Sequence, residues 1–222
     1  MISAAPTCAI FFSGGKDSML ALDRVVRLGY RVVRLVTLYD GATKRVRFHG
    51  VPVALMQAQA DALAIFTRPY PTTTDNFERV LLQALDELRK EAVDAAVFGN
   101  IHLADVRGWY EERVHAAGLD HLEPLWGEDP TALVRETLSR GYQPVITCIE
   151  EATTDPTWLG QTLTNELLDD FGRWGIDPCG ERGEYHSFVV DGPLFRRPLH
   201  IQLGTVHSTQ GFQQIDVQLA AE

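Results

Sequence analysis

The sequence of 222 residues has few cysteines, few lysines and no long apolar run. Its three cysteines, Cys8, Cys148 and Cys179, form no CxxC pair, so neither a disulfide framework nor a four-cysteine zinc site is expected. This cysteine usage favours a reducing, cytoplasmic compartment. No apolar stretch reaches the roughly 18 residues that a membrane-spanning helix needs, so we expect no membrane partner.

Positive charge is also scarce, because the chain has 20 basic and 30 acidic side chains and a formal net charge of −10. Binding to a polyanion depends on clustered Lys and Arg side chains, so this balance argues against a nucleic-acid partner. Three of the basic residues are lysines, namely Lys16, Lys44 and Lys90. We therefore expect the cations that matter for function to be local.

Strands and helices alternate over the first two thirds of the chain. Apolar runs at residues 8–12 and 93–98 predict strands buried on both faces, and residues 76–91 have the periodicity of a helix. Such alternation predicts an α/β fold with a doubly wound, five-stranded parallel sheet. After residue 126 the pattern loosens and predicts a smaller α+β domain. We therefore divide the chain into domains 1–126 and 127–222.

The segment between the first predicted strand and helix reads Ser13-Gly14-Gly15-Lys16-Asp17-Ser18, and we call it the SGGKDS turn. Ligands of open parallel sheets bind beyond the carboxyl ends of the strands, where a helix N-terminus presents N–H groups to an anion. The glycines allow close backbone approach, and Lys16 adds a cation. Asp17 would repel a bare phosphate, so it predicts a helix cap or a bridging Mg²⁺. The alternative is an ordinary capped turn.

A second polar segment, residues 179–187, places Glu181, Glu184 and His186 among glycines. Neighbouring carboxylates can bind ammonium and accept its proton, so these three residues are catalytic candidates. From spacing alone, a solvated surface turn remains the alternative. His49 follows the strand predicted at residues 31–39, at the edge of the sheet where nucleotide is expected, although many loop histidines have no such role.

The SGGKDS turn resembles the PP-loop of the N-type ATP pyrophosphatases, the adenine nucleotide alpha-hydrolase group. Three further segments resemble the diphthine–ammonia ligase (diphthamide synthase, ATP-binding) family, and the resemblance covers nearly the whole chain. They are RFHGVP at 47–52, GNI at 99–101 with PLW at 124–126, and CGERGEYHS at 179–187 followed by DGPLF at 191–195. Residues 102–109 look like the bacterial-type branch of that family.

The resemblance implies a ligase that uses ATP to adenylate an acceptor carboxylate, releases diphosphate, and lets ammonia displace AMP. ATP and Mg²⁺ would be bound, with Asp17 as the metal ligand. The nucleotide would contact Ser13, Gly14, Gly15, Lys16, Asp17, Ser18, Leu38, His49, Gly99, Asn100 and Ile101. Catalysis would fall to Lys16, Glu181, Glu184 and His186.

The resemblance leaves the acceptor open. In the best-known members it is a modified histidine of translation elongation factor 2, but bacteria are not expected to make diphthamide. Asn100 also stands where the family commonly has an acid. Two other interpretations remain, namely the same chemistry on a small metabolite carboxylate and a non-catalytic module that senses ATP or AMP. A homodimer is a further possible arrangement.

Overall fold

A computed structural model describes residues 5–220. The ends of the two predicted domains, residues 1–4 and 221–222, lie outside the described residues. Two sheets organise this part of the chain, one mostly parallel and one antiparallel. Within residues 5–220, none of the helices is both long and apolar enough to cross a membrane.

The first sheet consists of β1 (Thr7–Phe11), β2 (Arg31–Asp40), β3 (Arg45–Val46), β4 (Thr67–Thr72), β5 (Ala95–Val97) and β6 (Asp120–Leu122). Its helices are α1 (Lys16–Arg27), α2 (Val53–Leu63), α3 (Phe77–Lys90) and α4 (Ala104–Ala116). Five strands run parallel in the order β4-β2-β1-β5-β6, and the short β3 pairs antiparallel with the end of β2. The predicted five-stranded parallel sheet is confirmed.

Helices cover both faces of this sheet. Cys8 and Ile10 of β1 share a buried cluster with side chains of α1 and α2, whereas Ala9 shares another with side chains of α3 and α4. Alternate residues of a strand point to opposite faces, so the continuous apolar run of β1 fills both cores. This double burial is the doubly wound arrangement that the sequence predicts.

The second sheet contains β7 (Pro144–Glu150), β8 (Tyr185–Val189), β9 (Ile201–Thr209) and β10 (Phe212–Leu219), in the antiparallel order β8-β7-β10-β9. The same half holds α5 (Pro130–Ser139), α6 (Asn165–Trp174) and a one-turn 3-10 helix, Pro156–Trp158. A buried cluster joins the halves, since Leu20 of α1 and Phe171 of α6 belong to it. The predicted α+β half is confirmed, and the domain boundary stays a prediction.

Strand β8 connects the two halves of the chain beside the SGGKDS turn. A solvated surface turn is the alternative that spacing alone leaves open for residues 179–187, but the end of this segment belongs to β8, which pairs with β7. The N–H of Val189 also donates to the carbonyl oxygen of Gly14 at 2.9 Å. The segment with the predicted acids therefore lies directly beside the SGGKDS turn.

Candidate functional site

A cleft of about 310 Å³ opens at the carboxyl edge of the parallel sheet, where β1 lies between β2 and β5. The direction of strand order reverses at this point, and open α/β sheets bind ligands there. The volume is at the lower end of the range for small-molecule sites. Of the predicted site residues, the cleft is lined by Ser13, Lys16, Asp17, Ser18, Leu38, His49, Gly99, Asn100, Glu181 and His186.

The SGGKDS turn packs so tightly that its glycines have no room for a side chain. Gly14 has φ +79°, and a Cβ on it would lie 2.7 Å from Oε1 of Gln59. A Cβ on Gly15 would lie 2.7 Å from Cε1 of His49. Gly15 is also the N-cap of α1 and provides no capping side chain. The first turn of α1 therefore begins at the cleft without a cap from its N-cap residue.

Lys16 is buried, with 2% of its surface exposed, and its ammonium group faces the second half of the chain. Nζ donates to Oδ2 of Asp17 at 2.9 Å and to the carbonyl oxygen of Cys179. It also lies 4.6 Å from the centre of the Tyr185 ring. Burial lowers the pKa of Lys16, but Asp17 and the neighbouring Tyr185 and Cys179 together raise it above its ordinary value, so the group stays charged.

The two predicted glutamates have different environments. Oε2 of Glu181 accepts the N–H of Ile101 at 3.3 Å, and the side chain lines the cleft. Burial, together with the charge of Asp17, raises the pKa of Glu181. Glu184 is buried away from the cleft lining, and its two oxygens accept the N–H groups of Asp177 at 3.0 Å and Arg182 at 3.1 Å. Glu181 therefore faces the cleft, whereas Glu184 binds the backbone of its own loop.

His49 and His186 lie side by side in the cleft, with ring centroids 4.7 Å apart. Nδ1 of His49 donates to the carbonyl oxygen of Ser187 at 3.0 Å. Burial lowers the pKa of His49 to about 4, and burial with the neighbouring His49 lowers the pKa of His186 well below its usual value. Both imidazoles are therefore neutral near pH 7, so they can exchange hydrogen bonds but add no positive charge.

One end of the cleft is apolar, and of the residues that form it only Leu38 is among those predicted from the sequence. The rings of Phe11 and Phe98 stack 4.5 Å apart, and Tyr110 lies 4.7 Å from Phe98. Val36 and Leu38 of β2 complete this end. Such a surface suits a planar apolar group. Its members come from β1, β2, α4 and the residue after β5, and each looks like an ordinary core residue in the sequence.

Gln59 is a further residue beside the cleft that the sequence motifs do not predict. It is fully buried in α2, and its Nε2 donates to the carbonyl oxygens of Gly14 at 3.1 Å and Val189 at 2.6 Å. Its Oε1 is buried without a hydrogen-bond partner among the described residues, so the two bonds of Nε2 are what link the SGGKDS turn to β8. A glutamine on the otherwise apolar face of α2 is the signal that could have identified it.

Two remaining predicted residues lie at the end of β5. Nδ2 of Asn100 donates to Oε1 of Glu123 at 2.7 Å, and Ile101 is buried with its N–H directed to Glu181. No group of three His, Cys, Asp or Glu side chains within residues 5–220 forms a metal site. The assignment of Asp17 as a metal ligand stays a prediction.

Comparison with known families identifies the chain. The family model described as Diphthamide synthase N-terminal domain matches residues 7–121, and the one described as Diphthamide synthase C-terminal domain matches residues 129–219. The chain belongs to the diphthamide synthase family. The resemblance stated from the sequence motifs is therefore confirmed.

Two relatives of this diphthamide synthase family member are named diphthine–ammonia ligase. The diphthine–ammonia ligase of Homo sapiens is 28% identical over 238 residues, covering 93% of this chain and 88% of the relative. That of Danio rerio is 28% identical over 234 residues, covering 91% and 90%. A solved structure, a predicted subunit of tRNA methyltransferase from Methanocaldococcus jannaschii, covers 87% of this chain at 16% identity with a TM-score of 0.47. That last likeness is too remote to bear on the ligand.

Proposed function

We propose that the chain is an ATP-dependent carboxylate–ammonia ligase that forms an acyl adenylate and releases AMP and diphosphate. The relatives named diphthine–ammonia ligase support this class of enzyme. Glu181 is the residue on which the proposal rests. Its carboxylate lies in the same cleft as the SGGKDS turn, close enough to Asp17 for their charges to interact. One cleft thus offers an anion site and a proton acceptor.

The nucleotide would lie along the cleft with its phosphates at the SGGKDS turn. The N-terminus of α1 carries a partial positive charge and lacks a side-chain cap from Gly15, which favours an anion. Ser13 and Ser18 add hydroxyl donors, and Lys16 adds a buried cation. The adenine ring would occupy the apolar end beside Leu38.

Adenylation requires the acceptor carboxylate to attack the α-phosphorus while the bond to the diphosphate oxygen breaks. Charge would then develop on the leaving diphosphate, and Lys16 and the α1 N-terminus would stabilise it. Ammonia next attacks the acyl carbon and AMP leaves. Glu181 would take the proton lost by the attacking nitrogen, since its raised pKa makes it a better base than an exposed carboxylate.

Mg²⁺ fits the residues present as an ion held mainly by the nucleotide. Mg²⁺ in nucleotide sites uses one or two protein carboxylates together with phosphate oxygens. Asp17 lines the cleft at the SGGKDS turn, so we propose that it would hold the ion. The ion would supply charge neutralisation on the phosphates.

Glu184 and His186 would act differently from each other. We propose Glu184 as a positioning residue, because its carboxylate fixes the loop that presents Glu181. His186 lines the cleft as a neutral imidazole beside His49, so it would contact the acceptor.

The reaction can be tested with purified protein, MgATP, ammonium and an acceptor, using diphthine-bearing protein and a panel of small carboxylates. We expect AMP and diphosphate in equal amounts, and hydroxylamine in place of ammonium should give a hydroxamate. ADP and phosphate as products would contradict the proposal. ATP binding without turnover on any acceptor would favour the sensor. Turnover on small carboxylates alone would assign a metabolite acceptor.

A further inference from the structure

Phe48 combines two features that large apolar residues rarely show together. Its backbone has φ +66°, a left-handed conformation that is strained for a bulky side chain. Its surface is 74% exposed, the largest fraction among the exposed large hydrophobic residues of the described chain. Strain of this kind persists where the surrounding structure enforces it, and it concentrates at functional sites.

The loop around Phe48 enforces that conformation. The N–H of Val46 donates to the carbonyl oxygen of Val51 at 2.8 Å, and the N–H of Gly50 donates to the carbonyl oxygen of Val46 at 3.2 Å. His49 is anchored on both sides, because its ring binds Ser187 and its carbonyl oxygen accepts the hydroxyl of Thr147 at 3.2 Å. Phe48 is therefore held at the tip of a closed loop.

Phe48 is also the outer member of a row of rings, which we call the ring row (Phe48, His186 and His49). The centroids of Phe48 and His186 are 6.2 Å apart with their planes tilted by 31°, and those of His186 and His49 are 4.7 Å apart with a tilt of 43°. His49 lies against Gly15. The ring row thus runs from the SGGKDS turn to the cleft mouth and ends in an exposed ring.

Phe66 provides a comparison on the same molecule. It is 62% exposed, but it does not line the cleft, and the guanidinium of Arg34 lies 5.4 Å from its ring centre. Exposure alone is therefore not what distinguishes Phe48. The difference is a strained backbone together with a place beside two cleft histidines.

We propose that the ring row is a binding site for a planar ring of a substrate, which stacks on the exposed face of Phe48. Aromatic faces attract planar heteroaromatic rings in preference to saturated ones of the same size. The ring could belong to the acceptor or to adenine. The acceptor is the better fit, because the apolar end formed by Phe11 and Phe98 suits adenine while Phe48 lies at the mouth. That assignment rests on the proposed function, whereas ring binding itself requires no turnover.

The test is titration calorimetry with three probes: indole-3-acetate, the saturated cyclohexylacetate, and AMP. The variants are Phe48→Gly, Phe48→Leu and Phe48→Tyr, with Phe66→Gly as the matched control. We expect Phe48→Gly and Phe48→Leu to weaken indole-3-acetate binding about fivefold to tenfold, as expected for one lost stacked ring. Cyclohexylacetate should change less, and Phe48→Tyr and Phe66→Gly should bind as the wild type does.

The source of the ring follows from which probe is affected. A loss confined to indole-3-acetate supports an acceptor ring, and a loss confined to AMP supports the same stacking chemistry with adenine as its source. Unchanged binding of both planar probes in Phe48→Gly would overturn the site, as would wild-type binding in Phe48→Leu. Because no turnover is measured, these outcomes are independent of whether the chain forms AMP and diphosphate.

Thermal unfolding separates this role from a structural one. Glycine accepts a positive φ without strain, so Phe48→Gly should unfold at the wild-type temperature or above it. Weaker ring binding with undiminished stability supports a ligand site. A lower unfolding temperature together with equal losses for all three probes would mean that Phe48 stabilises the fold, and the proposal would fail.

Discussion

The imidazole rings of His49 and His186 lie 4.7 Å apart in the cleft, and burial keeps both neutral. Unfolding returns each imidazole to water, where its pKa is near 6.5. Between about pH 6.5 and about pH 4 the unfolded chain therefore binds protons that the folded chain does not. The free energy of unfolding should fall as the pH falls through this window, and these two groups should have no effect above it.

Thermal unfolding of the wild type and of His49→Gln across pH 4 to 8 measures this effect. The variant has no imidazole at position 49, so its unfolding temperature should fall less steeply below pH 6.5. His200 is exposed, and His200→Gln is the matched control for removal of a histidine. Equal slopes for His49→Gln and the wild type would contradict the assignment of a buried neutral His49.

Gly14→Ala should damage the SGGKDS turn by two separable effects. Gly14 has φ +79°, and an added Cβ would meet Gln59 and Met56 at 2.7 Å. Gly29 has φ +88° but open space around it, so Gly29→Ala shows the conformational effect alone, roughly 1 kcal/mol. The atoms met are the ends of the Gln59 and Met56 side chains, which can shift, so we expect Gly14→Ala to cost at most about 1–3 kcal/mol more in urea unfolding and to weaken ATP binding. Equal effects of both variants would contradict the packing.

Glu181→Gln and Glu184→Gln should differ in what they lose. The Glu181 carboxylate faces the cleft, so Glu181→Gln should reduce turnover strongly. It should leave ATP affinity and the unfolding temperature near the wild-type values. Both oxygens of Glu184 accept backbone N–H groups, and an amide nitrogen cannot accept, so Glu184→Gln should cost about 1–2 kcal/mol of stability. Abolished turnover in a fully stable Glu184→Gln would instead assign that residue a direct catalytic role.

Gln59→Leu should loosen the contact between the halves of the chain. The buried amide donates to the carbonyl oxygens of Gly14 and Val189, and leucine removes both donors while keeping similar volume. We expect a loss of about 1–3 kcal/mol, together with weaker ATP binding because Gly14 loses a partner. Gln57 binds only Asp61 on the exposed side of the same helix, so Gln57→Leu is the control and should be nearly neutral.

The centre of the parallel sheet could be predicted because β1 and β5 are buried on both faces and therefore read as continuous apolar runs. The helices α1 and α3 have clear periodicity. Strand β4, Thr67–Thr72, has a weaker sequence signal. Among the described strands it pairs with β2 alone, and an edge strand of this kind tolerates proline. Pro69 and Pro71 are residues more typical of loops, so the sequence pattern does not clearly indicate a strand.

The site could be predicted only where a local pattern encodes it. The SGGKDS turn is such a pattern, since strand, glycines and cation are consecutive. The environments of Glu181 and Glu184 depend on β8, whose pairing with β7 is a long-range contact hidden in a glycine-rich segment. Gln59 stands in no motif, and the RFHGVP segment that contains Phe48 does not indicate what its side chain contacts. Only the folded chain shows the surroundings of both residues.

The Lys16–Asp17 pair allows stability and ligand binding to be separated. Nζ of Lys16 is 2.9 Å from Oδ2 of Asp17, with 3% and 27% of their side-chain surfaces exposed. Lys16→Met leaves the partly buried Asp17 carboxylate without its cation, which should cost about 1–3 kcal/mol, less than for a fully buried pair because water still reaches Asp17. The double variant with Asp17→Asn should recover much of that loss, since neither charge remains unpaired. ATP binding should stay weak in both variants, because the phosphates lose the cation in each. Stability and ATP affinity are measured by urea unfolding and ATP titration of the wild type, Lys16→Met, Asp17→Asn and the double variant. A double variant no more stable than Lys16→Met would contradict the coupling.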